Sequence, residues 1–138
     1  MTASRPAVTL IQVAGKKGKI LLVDDHDDSL ALYAEFLGIA GHEVKAARSV
    51  TEAIELCRHD RFDLLVSDIR LRDGSGLDLI RHIQEDCHLP GIALSGLTSP
   101  EDVEAALAAG FSRHLTKPID LDTFVTAVEE LLGRTNKG

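Results

Sequence analysis

Tryptophan is absent from this 138-residue chain and only 4% of its residues are aromatic, so a hydrophobic core has to be built from aliphatic side chains. Cysteine is nearly as scarce: Cys57 and Cys87 are the only two. Their spacing suits no metal site, and both read as reduced, buried or half-buried thiols without catalytic use. No apolar run approaches the ~20 residues needed to span a bilayer. The amino-terminus lacks the basic-then-apolar order of a signal peptide, so the expected location is the cytoplasm. Positive charge is in deficit, with a formal net charge of -7 at pH 7. An acidic surface repels phosphate backbones and anionic lipid, which argues against direct contact with nucleic acid or membrane. What remains, 44% hydrophobic and 27% charged residues, suffices for one ordinary soluble domain.

Residues 1–18 show no clear period and read as a linker or tail, although Val8–Val13 can form a stray strand. From Lys19 a pattern sets in and repeats. Ile20-Leu21-Leu22-Val23 is a short apolar run, as expected of a strand buried on both faces. Asp27 or Asp28 can cap the helix that follows, with Leu30, Tyr33, Ala34 and Leu37 at helical spacing, and Gly41 stops it. Val44-Lys45-Ala46 is a second strand. Ser49 and Glu52 form a capping box for the next helix. Phe62–Val66 is a third strand ending at Ser67-Asp68, followed by a loop over Arg70–Gly76 and a helix through Leu77, Leu79, Ile80 and Ile83. Pro90–Ser95 is a fourth strand. Ser99-Pro100 opens a helix that Gly110 closes. Ser112–Thr116 is a fifth strand, and Leu121–Leu132 the last helix. This places one domain over 19–133 and a short tail over 134–138.

Five strands alternating with five helices imply an α/β fold, a parallel sheet with helices on both faces. Right-handed crossovers leave the flavodoxin-like, doubly wound order 2-1-3-4-5 as the expected topology. Such sheets bind ligands at the carboxyl ends of their strands. There the sequence puts Asp24-Asp25 after strand 1, Asp68 on strand 3, Ser95 on strand 4 and Thr116-Lys117 on strand 5. Three clustered carboxylates repel one another unless protons or a cation neutralise them. Mg²⁺ takes oxygen ligands and completes its shell with water and a substrate phosphate. Lys117 supplies a point charge and Ser95 a hydroxyl for phosphate oxygens. Asp68 stands between them as a nucleophile able to form an aspartyl-phosphate. Any one of these residues alone would be an ordinary loop solvator; the combination at four strand ends is what carries the reading.

The same residues resemble the receiver domain of response regulators. The resemblance lies in Ile20–Asp25, Leu64–Ile69, Ala93-Leu94-Ser95-Gly96 and His114–Pro118, and covers about Lys19 to Leu132. It implies Asp68 as phosphoacceptor in a two-component phosphorelay. It implies Mg²⁺ held by Asp25, by Asp24 directly or through water, by Asp68 and by the backbone carbonyl of Arg70. Lys117 would contact the phosphoryl group, Ser95 would move toward it, and Gly96 would leave room for the donor. Lys117-Pro118 becomes a candidate cis peptide. Catalysis would be limited to the domain's own phosphorylation and dephosphorylation. Two positions depart from the usual pattern. Arg72 stands where many receivers carry Pro, which bears on loop stiffness. His114 stands where Tyr or Phe is usual; it is either a half-exposed strand residue or a switch whose ring turns inward with Ser95.

The phrases Asp73–Leu79 and Ala109–Leu115 are most similar to receivers of hybrid histidine kinases, with a stand-alone single-domain response regulator as the alternative. The partners implied are a histidine kinase, or the protein's own kinase core, and a histidine phosphotransfer protein. A weak homodimer through the helix 4–strand 5–helix 5 face is also allowed. His26, His42, His59, His82 and His88 are scattered and read as surface residues, His26 lying beside the acidic pair. A haloacid-dehalogenase-type phosphatase would use Asp25-His26-Asp27 but leave Asp68 idle. A flavin carrier would need a Gly- or Ser/Thr-rich loop where Asp24–Asp28 stands. A non-phosphorylated interaction module would not need the acidic triad, Ser95 and Lys117.

Overall fold

The computed structural model describes residues 17–86, 88–96 and 99–137, with side chains to 133. Cys87, the segment Val8–Val13 and most of the 1–18 tail lie outside them. In chain order the elements are β1 (Lys19–Val23), α1 (Asp27–Ile39), β2 (Glu43–Ala47), α2 (Val50–His59), β3 (Leu64–Asp68), β4 (Arg70–Leu71), β5 (Gly74–Ser75), α3 (Gly76–Asp86), β6 (Gly91–Ser95), α4 (Pro100–Ala109), β7 (Arg113–Thr116) and α5 (Leu121–Lys137).

The main sheet has the order β2-β1-β3-β6-β7 and every pairing in it is parallel. This is the expected 2-1-3-4-5 arrangement once the β4-β5 ribbon is set aside. The central strands are the continuous apolar runs: β3 and β6 are buried throughout and β1 from Ile20 onward. Alternate residues feed two cores. Ile20, Leu22, Leu64, Val66, Ile92 and Leu94 face α1 and α5, where Leu37, Phe124, Val128 and Leu132 close the layer. Leu21, Val23, Leu65 and Ala93 face α2, α3 and α4, where Ala53, Leu79, Ile80 and Ala106 meet them. Three aromatics cluster on the first face, Tyr33 lying 5.9 Å from Phe36 and 5.3 Å from Phe124, centroid to centroid, while Phe62 and Phe111 belong to the second.

Helix boundaries follow from local chemistry, with one correction. The N-cap of α1 is His26, not Asp27 or Asp28; its side chain makes no capping bond, and the two aspartates sit in the first turn, favoured there by the helix dipole. Ser49 caps α2, its Oγ accepting from the Glu52 amide at 3.0 Å. The reciprocal bond of the box is displaced by one residue: Glu52 Oε1 accepts from the amide of Arg48, not of Ser49. Ser99 caps α4 with Pro100 in its first turn. Gly41 and Gly110 leave their helices at φ +94° and +127°, a conformation costly for other residues.

Two further differences concern single residues. Arg70–Gly76 is not a plain loop: Arg70 pairs with Ser75 and Leu71 with Gly74 in an antiparallel ribbon. And His42 is not a surface residue. Its side chain is 1% exposed, its Nδ1 accepts from the Gly18 amide at 3.0 Å, and its Nε2 lies 2.9 Å from Glu129 Oε2. An Nδ1 that accepts leaves the ring proton on Nε2, which then donates to Glu129. The ring ties the start of β2 to both β1 and α5.

Candidate functional site

The parallel sheet ends all its strands on one side, and the turns after β1, β3, β6 and β7 bring the polar residues together there. Asp24 is fully buried, Asp68 is 7% and Ser95 3% exposed. Asp24 is fixed from two directions: its amide donates to the Ala47 carbonyl at 3.1 Å, and its Oδ1 accepts from the His26 amide at 2.9 Å. Asp68 is held by the ladder below it and by the turn above. The Ile69 amide donates to Leu94, the Gly76 amide donates to the Ile69 carbonyl at 2.7 Å, and Ser67 Oγ donates to the Asp68 carbonyl at 2.8 Å. A Cβ on Gly76 would collide with the Asp68 carbonyl oxygen, so only glycine allows the chain to fold back this closely.

Lys117 crosses from β7 to the acidic residues. Its Nζ donates to Asp24 Oδ2 at 2.8 Å and to Asp68 Oδ2 at 3.1 Å. Its ammonium also lies 5.9 Å from the Tyr33 ring centroid. Burial by itself would lower the Lys117 pKa, but the hydrogen bonds and charges of Asp24 and Asp68 outweigh it, and the net shift is upward. The amine therefore keeps its proton, and one cation partly offsets two of the three carboxylates. The Lys117–Pro118 peptide bond is cis. Ser95 ends β6, the strand paired with β3, and its carbonyl accepts from the Lys117 amide at 2.8 Å. A Cβ on Gly96 would meet nothing within 4 Å among the described residues.

The third carboxylate is left over. Asp25 Oδ1 is buried and has no hydrogen-bond partner among the described residues. Oxygens of Asp24, Asp25 and Asp68 and the Nδ1 of His26 all lie within 4.8 Å of one another. Asp25 Oδ1 has the His26 ring nitrogen beside it, at 3.1 Å, and in a cluster of three carboxylates a hard divalent cation with oxygen ligands is the group that suits it. The residues present therefore fit Mg²⁺. The Arg70 amide donates to Asp68 Oδ1 at 3.3 Å, which places Arg70 at the rim on β4. His114 lies on β7 opposite Ala93, half-buried; its Nε2 is buried and without a hydrogen-bond partner among the described residues.

Two more residues belong to this edge: Asp73, to which the sequence assigns no role, and His26, which the sequence sets beside the acidic pair. Asp73, at the tip of the ribbon, accepts from the Val50 amide at 2.8 Å, the Thr51 amide at 3.1 Å and Thr51 Oγ1 at 2.8 Å, fastening the ribbon to α2. Nothing local announces partners 22 and 23 positions away. His26 turns its ring to the carboxylates, and its adjacency to Asp25 was the available signal. An open groove of about 810 Å³ lined by Cys57, Asp60, Phe62 and Leu89 lies at the amino ends of the strands, away from this chemistry.

Residues 20–129 match the family model of the response regulator receiver domain. The chain belongs to that family. It is 41% identical over 104 residues to the response regulator protein PilR of Pseudomonas aeruginosa, covering 75% of this chain and 23% of PilR. It is 28% identical over 117 residues to the polar-differentiation response regulator DivK of Brucella anthropi, covering 83% of this chain and 95% of DivK. A two-component response regulator from Clostridium difficile superposes with a TM-score of 0.83 at 27% identity, over 88% of this chain and 99% of that one. The chemotaxis response regulator CheY4 of Vibrio cholerae gives 0.79 at 26% identity, over 84% and 99%. This receiver is thus similar both to one part of a longer regulator and to proteins of nearly its own span. No helix among the described residues is long and apolar enough to cross a membrane.

Proposed function

We propose that this receiver accepts a phosphoryl group on Asp68 and passes the event to the surface around β7. The observation that carries the proposal is the convergence at Asp68. The half-buried Lys117 ammonium donates to one of the Asp68 oxygens, Asp25 beside it has a buried oxygen without a hydrogen bond among the described residues, and the buried Ser95 ends the neighbouring strand. Asp24, Asp25, Asp68 and the Arg70 carbonyl would hold Mg²⁺. When bound, Mg²⁺ supplies positive charge for the phosphoryl oxygens and cancels repulsion between the carboxylates.

The chain's own residues do the rest. An Asp68 carboxylate oxygen attacks phosphorus; a P–O bond forms as the donor's P–N or P–O bond breaks, and the donor leaves as imidazole or as a carboxylate such as acetate. Lys117 is already positioned on Asp68 and has its proton, so its ammonium can transfer a hydrogen bond from Asp68 Oδ2 to a phosphoryl oxygen without rebuilding. Ser95 donates to a second oxygen, and Gly96 leaves the donor's approach open. Later attack by water on phosphorus restores the carboxylate. No substrate beyond the phosphodonor is turned over.

The cognate partners proposed are a histidine kinase and a histidine phosphotransfer protein, in a cytoplasmic relay. The phrases Asp73–Leu79 and Ala109–Leu115 favour a hybrid-kinase setting for the domain. The match to DivK over nearly all of that regulator's length supports the alternative, a regulator made of the receiver alone.

Asp68→Asn tests the assignment, because the change is nearly isosteric and the fold should persist. The expected result is loss of the acid-labile, hydroxylamine-sensitive label that acetyl phosphate with Mg²⁺ leaves on the wild type. A mutant that labels as well as wild type would overturn it, and label mapped to Asp25 would point to the phosphatase chemistry instead.

A further inference from the structure

We infer that His26 is a fourth side-chain ligand of the acidic pocket and gives it a preference for first-row transition ions of the Mn²⁺-to-Zn²⁺ series over Mg²⁺. The inference rests on the metal site proposed above and adds to it a residue and a selectivity.

The first observation is geometric. In a six-coordinate site with ligands about 2.1 Å from the ion, neighbouring ligands at right angles are about 3.0 Å apart and opposite ones about 4.2 Å. His26 Nδ1 lies 3.1 Å from Asp25 Oδ1 and 3.4 Å from Asp24 Oδ1. Both separations are those of adjacent ligands around one ion. Asp68 contributes an oxygen within 4.8 Å of the other three ligand atoms, so all four can converge on a common centre.

The second observation is that the imidazole is committed to the pocket: its Nδ1 makes a long hydrogen bond, 3.4 Å, to Asp24 Oδ1 and lies against the Asp25 carboxylate. His26 is the N-cap of α1, yet its side chain makes no capping bond to the helix. Its backbone amide is anchored instead, donating to Asp24 Oδ1 at 2.9 Å, and this turns the residue toward the pocket. Its ring is 72% exposed, so neither packing nor burial holds it there. The third observation concerns Asp25. Its buried Oδ1 is the atom nearest the ring, but the 3.1 Å approach is not a hydrogen bond, and that oxygen has no other partner among the described residues. A ring nitrogen and a carboxylate oxygen side by side, with no hydrogen bond between them, form the open edge of a coordination site.

Chemistry sets the selectivity. Three carboxylates alone suit a hard ion such as Mg²⁺, which gains little from nitrogen. Imidazole is a ligand of Mn²⁺, Co²⁺, Ni²⁺ and Zn²⁺, with affinity rising along that series apart from the reversal after copper. Exchanging a water for an imidazole nitrogen therefore strengthens binding of those ions and leaves Mg²⁺ nearly unchanged.

The test uses the untagged chain and two readouts other than phosphorylation. Calorimetric titration with Mg²⁺ and with Ni²⁺ gives the selectivity ratio for wild type, His26→Ala and Asp25→Ala. Pulsed EPR of bound Mn²⁺ shows directly whether a histidine nitrogen coordinates, through its ¹⁴N modulation. The expected result is ¹⁴N modulation in wild type that disappears in His26→Ala. Ni²⁺ affinity should fall by at least about tenfold, the lower end of what losing even an outer-shell partner costs, while Mg²⁺ affinity holds. Only binding removed by Asp25→Ala counts, which discounts ions held elsewhere. If ions bind at the carboxylates but without nitrogen modulation and with the ratio unchanged in His26→Ala, the inference is overturned and the metal site stands. If Asp25→Ala removes no binding at all, the metal site itself fails, and this inference with it.

Discussion

At the scale of single residues, the pocket is a balance of charges that Lys117 holds in place. Asp24 is fully buried and carries the shorter of the two lysine bonds, at 2.8 Å, so Lys117 compensates a structural carboxylate as well as the acceptor. Removing a lysine from such a pair leaves buried charge without a partner, which costs about 3–5 kcal/mol in fully buried cases and less where the pair is partly open, as here. Lys117→Ala should therefore lower the Tm in metal-free buffer. It should also enlarge the stabilisation produced by millimolar Mg²⁺, because a ligand that binds only the folded state stabilises by mass action and the unrelieved repulsion is now greater. Thermal melts of wild type and Lys117→Ala, each with and without Mg²⁺, measure both effects. An equal Mg²⁺ shift in the two proteins would show that lysine and cation do not share the same carboxylates. Asp25→Ala in the same series should reduce the shift.

At the scale of elements, the β4-β5 ribbon does what a loop proline does elsewhere. Arg72 brings no rigidity of its own, but Asp73 takes three hydrogen bonds from the start of α2. With Ser49 accepting from the Glu52 amide and the Ser49 carbonyl from the Ala53 amide, all four leading amides of α2 are satisfied. The backbone hydrogen bond from Val50, then the Thr51 hydroxyl and amide, hold the Asp73 carboxyl below the ordinary aspartate range. A carboxylate whose folded pKa is depressed stabilises the fold above its unfolded value, near 3.9, and loses that contribution as pH falls through the folded value. Asp73→Ala should thus melt below wild type at pH 6, and the gap should close as the pH is lowered from about 4. A gap that persists undiminished at low pH would assign the contribution to packing, not charge.

The ribbon also marks where the sequence stops being legible. Strands of two residues have no periodicity to detect, and the bonds of Asp73 span more than twenty positions. The same reason hides His42, which was read as a surface residue. Its partners, Gly18 and Glu129, are 24 and 87 residues away, and only the docking of α5 on β1 and β2 brings them together. By contrast, β1, β3 and β6 are legible because a strand covered on both faces must be apolar throughout. The convergence of Asp24, Asp25, Asp68, Ser95 and Lys117 was legible only by way of the topology: each is unremarkable in sequence, and the parallel sheet sets all of them at one edge. The α1 cap was misplaced because Asp27 and Asp28 satisfy the same preference for negative charge at a helix start from inside the first turn.

At the scale of the whole molecule, the question is how charge placed on Asp68 reaches a surface. The path the fold offers runs through β6 and β7. Ser95 is the last residue of β6, and Ala93, two residues earlier on that strand, pairs with His114 on β7. The His114 ring is half-buried, with Nε2 buried and without a hydrogen-bond partner among the described residues. A buried polar atom without a partner is costly, so this rotamer is easily traded for another. If Ser95 moves toward a phosphoryl group, the space beside β7 changes, and with it the exposed face of α4 around Leu107 and the start of α5. A bound group shifts such an equilibrium only by its difference in affinity for the two states, so the hydrogen bond gained by the Ser95 hydroxyl has to carry much of the coupling. Ser95→Ala should therefore still bind the phosphoryl mimic beryllofluoride, because Asp68, Lys117 and the other carboxylates remain. Its response at β7 should be smaller than that of wild type. Two-dimensional NMR of the imidazole resonances, with and without beryllofluoride, reads the His114 environment directly. A full His114 response in Ser95→Ala, or none in wild type, would mean that the signal leaves the pocket by another route.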